Sequence, residues 1–183
     1  MLASALVVLA AAYLAVSLIV LAPKKAGYRH VQHTISEIGE IGAHHQRWVA
    51  FGLFLPVGLL LLLVAYLARS IFEPSAALAL CVAVGYVVAA FFPCDPGSPT
   101  SGSARQAVHN LGGAVEYLGG GFALMAIAEP LGPIFKIAGF VVLGSAIALT
   151  LLPGTSVRGL IQRVAEFVLF AALAASVWRV DTI

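Results

Sequence analysis

Charge is what this sequence has least of. Only 10% of its 183 residues are Asp, Glu, Lys or Arg, against about a quarter in soluble proteins. That scarcity excludes a soluble enzyme module, and a net charge of +2 excludes a basic nucleic-acid surface. Cysteine is scarce too. Cys81 and Cys94 are the two present, and a continuous helix would hold them roughly 20 Å apart, beyond disulfide reach. No phosphate-binding glycine loop, CxxC pair or Ser-His-Asp order occurs, and no internal repeat suggests the inverted halves of a transporter.

What is present is apolar. Hydrophobic residues make up 61% of the chain and mean hydropathy is +1.03. Six runs, near 3–22, 48–68, 75–92, 108–128, 134–152 and 160–179, each approach the ~20 residues that cross hydrocarbon. The expected fold is an all-α membrane protein, with six transmembrane helices in one bundle forming a single domain over 1–183. The first run is read as helix one and not as a cleaved signal, because no Lys or Arg precedes it. Seven of the ten basic residues (Lys24, Lys25, Arg29, Arg47, Arg105, Arg158 and Arg163) fall in or beside the odd-numbered connections. This predicts a protein of the cell (inner) membrane with those connections cytoplasmic and both termini outside.

The first connection, about 23–47, is the longest and holds four of the five histidines: His30, His33, His44 and His45. Thr34-Ile35-Ser36-Glu37 fits a capping box. Ile35, Ile38 and Ile41 then recur every three residues, predicting a short amphipathic helix at the interface or dipping into the bundle mouth. The histidines alone form a poor metal set, since no Cys or Asp/Glu stands at ligand spacing. Any metal or other cofactor is left unknown, and the lack of paired histidines at membrane depth argues against a two-haem cytochrome.

The fourth run is the most informative. His109 and Glu116 lie seven residues apart, about two helical turns, with Gly112, Gly113, Gly119 and Gly120 on the same face. A carboxylate there cannot face lipid, and glycines at these spacings admit a neighbouring backbone, so the face is an interior seam. In the sixth run Arg158, Gln162 and Glu166 recur every four residues. Glu166 and Glu116 are each about eight residues into a span entered from the same side, hence roughly 12 Å deep. The two acids are therefore expected at one level. Glu116 can do acid/base work or pair with Arg163 or Arg158 and simply pin two helices together. Asp95, between Pro93-Cys94 and Pro96, points from a rigid turn that suits a ligand, an acid/base group or a plain loop.

Three stretches, Thr34-Ile35-Ser36-Glu37-Ile38-Gly39, Phe92-Pro93-Cys94-Asp95-Pro96-Gly97 and His109 at the head of the next span, carry a resemblance. With them the chain resembles the six-helix bacterial and archaeal membrane proteins grouped as domain of unknown function 998, over nearly its whole length. The resemblance implies a six-span bundle whose polar motifs gather at one membrane face, and no activity. The arrangement is more distantly similar to membrane-embedded zinc hydrolases of the ceramidase and progestin-receptor type, in which Ser36, Asp95 and His109 would take the serine, aspartate and histidine parts. The late His-x-x-x-His pair and the seventh span of those proteins are missing here.

The leading expectation is thus a polar pocket opening toward the odd-connection side, lined by Ser36, Glu37, Asp95, His109, Glu116, Arg163 and Glu166. It would bind a membrane lipid or other amphipathic small molecule, with Ser36, Glu37, Arg163 and Glu166 as ligand-binding groups. A second expectation is a metal-dependent intramembrane hydrolase using His109, Asp95 and Glu116. A third is a structural subunit joined to a membrane-protein partner or to its own copies.

Overall fold

The structure, a computed structural model, describes residues 1–181. Among the described residues six helices are long and apolar enough to cross a membrane: α1 (Leu2–Lys24), α2 (Gln46–Ala68), α3 (Glu73–Phe91), α4 (Ala104–Leu131), α5 (Pro133–Leu151) and α6 (Arg158–Val180). Among the described residues there is no strand. The protein is an all-helical integral membrane protein. Boundaries fall within a few residues of the hydropathy runs, except that α4 starts earlier than expected, because Ser103 caps it and accepts the Gln106 N–H.

Two of the connections are very short. After α4 the chain turns at Gly132 (φ 104°), a left-handed conformation that favours glycine, and Pro133 opens α5 with its fixed φ. Pro74 does the same for α3. Such turns force antiparallel neighbours, and each helix packs on the next, α1 to α2 through α5 to α6. α6 returns to α1 and closes the ring, while α3 and α6 touch across it. Leu53, Leu61, Leu78, Leu124, Ile127, Leu169 and Leu173 fill the middle and are fully buried. A buried Ser75–Ser176 hydrogen bond of 2.8 Å joins α3 to α6 at the short-turn end. Outside, Phe122, Ile137, Phe140 and Phe167 are exposed, the composition expected where a helix meets hydrocarbon.

Enclosure is uneven. Half of the apolar window of α3 is buried inside the protein, but only 28% of that of α5. α5 is therefore a thin outer wall, and this matters for what lies behind it. Two spans also depart from α geometry, with π turns at Val49–Phe54 in α2 and Val115–Gly119 in α4. Single π turns occur often at functional sites, and the second one carries Glu116.

Candidate functional site

The three odd-numbered connections fold together over one end of the bundle. In the first, the Thr34 N–H donates to Glu37 Oε1 at 2.8 Å and the Glu37 N–H to Thr34 Oγ1 at 3.4 Å, the reciprocal arrangement of a capping box. The turn that follows, Ser36–Gly39, is a single 3-10 turn and not the amphipathic helix that the isoleucine spacing predicts. It dips inward, with Glu37, Ile38 and Gly39 buried. Gly39 fits because a Cβ there would lie 2.6 Å from Val49 Cγ1. Lys25 pairs with Glu40 at 2.7 Å and also donates to the Glu37 carbonyl. Glu40 Oε2 accepts the Gly97 N–H at 2.8 Å, and the Ile41 N–H donates to the Cys94 carbonyl at 2.9 Å, so the first and third connections are tied side by side.

Asp95 serves this cap. Its carboxylate accepts the Ser103 N–H and the Ser103 hydroxyl, both at 2.8 Å, with Arg105 at 3.7 Å. Those two bonds from Ser103 hold its pKa below the ordinary carboxylate value, assisted by Arg105. The side chain thus braces the entry to α4. Its neighbour Cys94 is buried, and burial pushes the thiol up to about 12.

Arg163 also belongs to the cap. It donates to the His30 carbonyl at 2.5 Å, to the His33 carbonyl at 2.9 Å and to the Tyr28 hydroxyl at 2.5 Å. Arg158, five residues earlier on α6, turns the other way. It is buried, donates to the Gly97 and Ser98 carbonyls at 3.0 and 2.5 Å, and leaves its Nε without an acceptor. Neither arginine forms an ion pair with Glu116 or Glu166 among the described residues, so the expected helix-pinning pair is not formed.

The two acids do meet at one level. Glu166 Oε1 accepts from Tyr117 at 2.6 Å and Oε2 from Tyr86 at 2.8 Å. Gln162 donates to the Tyr117 hydroxyl at 3.2 Å and accepts the Ile35 N–H at 2.6 Å, which ties α6 to the first connection. Glu116 faces Glu166 within hydrogen-bonding reach and packs on α3, where a Cβ on Gly85 would lie 2.1 Å from Glu116 Oε2. Only glycine admits that contact. Glu116 is buried and its Oε1 has no partner.

His109 sits one turn into α4. Its Nδ1 is 2.9 Å from the Phe92 carbonyl and its Nε2 3.2 Å from Ser36 Oγ. The Phe92 carbonyl is free for this contact because the N–H that would claim it in a continuing helix belongs to position 96, a proline.

A cavity of about 640 Å³ opens among these groups. Ser36, His109, Glu116, Arg158 and Gln162 line it, together with Leu118 of α4 and Ala146, Ile147, Leu149, Thr150 and Leu151 of α5. Gly113 also lines it and has nothing within 4 Å of where a side chain would start. Of the residues expected from sequence, the cavity gathers Ser36, His109 and Glu116. Glu166 sits behind it, on a void of about 20 Å³ shared with Glu116, Ser36 and Gln162. Glu37, Asp95 and Arg163 are held in the cap instead, and no group of three or more His, Cys, Asp or Glu converges among the described residues. Sequence reasoning missed Arg158 as the arginine of the cavity, and missed Tyr86 and Tyr117 altogether.

No curated protein and no solved structure matches the chain. The family model described as "Protein of unknown function (DUF998)" matches residues 8–179, and the chain belongs to that family of membrane proteins.

Proposed function

We propose that the protein binds an amphipathic, lipid-like small molecule in the cavity behind α5, with its chain against α5 and its polar end against α4, α6 and the cap. One observation carries this reading: one cavity is lined by mostly apolar α5 residues and by Glu116 and Arg158, each of which holds a buried polar atom without a partner, Glu116 Oε1 and Arg158 Nε. Buried polar groups are nearly always satisfied, and both orphans belong to residues that line one cavity, which favours a ligand that supplies an acceptor to the arginine and a donor to the acid. A carbonyl or anionic oxygen beside a hydroxyl or amide meets both needs. The volume lies within the ~300–1,000 Å³ usual for small-molecule sites.

The polar groups concentrate at the odd-connection end, where seven of the ten basic residues also lie. The proposed setting is therefore the cell membrane, with that end cytoplasmic and the ligand entering from the bilayer past α5. Native mass spectrometry of protein released from a mild detergent tests the reading. A retained amphiphile of defined mass, displaced in Gly113→Phe, which fills the cavity, is the expected result. Protein that leaves detergent bare, or that keeps the same adducts in Gly113→Phe, overturns it.

A further inference from the structure

We propose that Ser36 and His109 form a nucleophile–base pair that cleaves an ester bond of the amphiphile held in this cavity. The inference rests on the binding reading above and goes beyond it by assigning a reaction.

The histidine's protonation pattern follows from its partners. A carbonyl oxygen only accepts, so at 2.9 Å from the Phe92 carbonyl the Nδ1 carries the hydrogen. In a neutral imidazole this leaves the Nε2 lone pair, and Nε2 faces Ser36 Oγ at 3.2 Å. A serine hydroxyl donating to a histidine whose far nitrogen is fixed by a third group is the arrangement that activates a serine nucleophile, whatever fold it occurs on. Here the third group is a backbone carbonyl. Asp95, the acid grouped with Ser36 and His109 by the distant resemblance, is occupied by Ser103.

The serine is held as firmly as the base. Thr34 and Glu37 brace the turn on either side of Ser36, and Gln162 takes the Ile35 N–H. Ser36 and His109 come from segments 73 residues apart, yet both line the same cavity. Arg158 lines the same cavity and brings a guanidinium, one of whose donors is unpaired, beside the place an ester or headgroup would take. If the pair served only to fasten the first connection to α4, neither group would need to border a cavity that apolar residues of α5 also line.

The reaction balances with water as the co-reactant. Ser36 Oγ bonds to the ester carbonyl carbon while its proton passes to His109 Nε2. Collapse of the tetrahedral adduct breaks the bond to the alcohol oxygen, which leaves with the Nε2 proton. Water then adds to the acyl-serine, giving a proton to Nε2, and the carboxylic acid departs as that proton returns to Ser36. Net, an ester and water become an acid and an alcohol.

The test uses the full chain in mild detergent and a fluorophosphonate bearing a long alkyl chain, with the adduct located by peptide mass spectrometry. The expected result is one adduct, on Ser36. It should be absent in Ser36→Ala, slowed at least tenfold in His109→Gln, and slowed in wild type by excess long-chain monoacylglycerol, which needs no variant to fold. Hydrolysis of a long-chain umbelliferyl ester should follow the same order. No adduct on Ser36, or equal labelling in folded His109→Gln, overturns the pair. If the unlabelled wild type still keeps its amphiphile in native mass spectrometry, only the reaction falls. If it also leaves detergent bare, the binding reading falls with it.

Discussion

Glu166 and Glu116 face each other from α6 and α4, and their surroundings differ in one respect. Both oxygens of Glu166 accept tyrosine hydroxyls, one from α3 and one from α4, so each oxygen has a partner and the side chain joins three helices. Glu116 packs on Gly85 and keeps an oxygen with no partner, at the edge of the cavity. A similar contrast recurs between Arg163, which is spent on the cap, and Arg158, which also holds the Gly97 and Ser98 carbonyls of the cap but leaves its Nε over. Within one bundle, satisfied polar groups fasten helices, and the unsatisfied ones are those the binding proposal rests on.

The largest effect expected from breaking this contrast is on stability. Glu166→Leu strands the Tyr86 and Tyr117 hydroxyls, at about 1–3 kcal/mol for each buried group left unpaired. Glu116→Leu removes an orphan and should leave the melting temperature nearly unchanged while abolishing amphiphile retention. Thermal melts of the two variants side by side check this, and equal losses would erase the distinction. Gly85→Ala comes next, because its Cβ would meet Glu116 Oε2 at 2.1 Å. Overpacking of that kind costs about 1–3 kcal/mol, and the displaced carboxyl should weaken binding as well.

Arg158→Met and Arg163→Met sharpen the second contrast. Arg158→Met should weaken amphiphile binding at least tenfold, or about 1.4 kcal/mol, in a titration by native mass spectrometry. Arg163→Met should instead speed amide exchange or proteolysis in 26–35, with a smaller change in affinity. The smallest effect concerns Asp95. Its pKa is lowered in the folded protein, mainly by the Ser103 N–H and hydroxyl. Its stabilisation is therefore present above the unfolded value near ~4 and is lost as pH falls through the folded value. Asp95→Asn should lower the melting temperature slightly at neutral pH, where that stabilisation is present, and flatten its decline below about pH 4, where variant and wild type converge.

Much of this was legible before any coordinates. The spans follow from run length, because the bilayer fixes how much apolar chain a helix needs. The level of Glu116 with Glu166 follows from counting residues inward from a common face, and the capping box from Thr34 and Glu37. Arg158 was legible as well: it shares a four-residue stripe with Gln162 and Glu166, whereas Arg163 stands off that stripe on the side that meets the cap. Tyr86 and Tyr117 gave no signal, since a tyrosine within an apolar run reads as packing or as an interfacial anchor. The pairing of Ser36 with His109 came from the resemblance and not from the residue pattern. It depends on how the first connection folds back over α4, and neither spacing nor periodicity encodes that. Asp95 was visible as a rigid acidic turn, but its partner is eight residues downstream, beyond the local patterns that identify a cap.

The most direct test of a ligand behind α5 is to ask where an acyl chain goes. A monoacylglycerol with a diazirine in its chain, photolysed with the protein in lipid nanodiscs, should crosslink to Leu118, Ile147 and Leu149, and Gly113→Phe should remove those crosslinks. Crosslinks confined to the outward-facing Phe122, Ile137, Phe140 and Phe167, and unchanged in Gly113→Phe, would contradict the account.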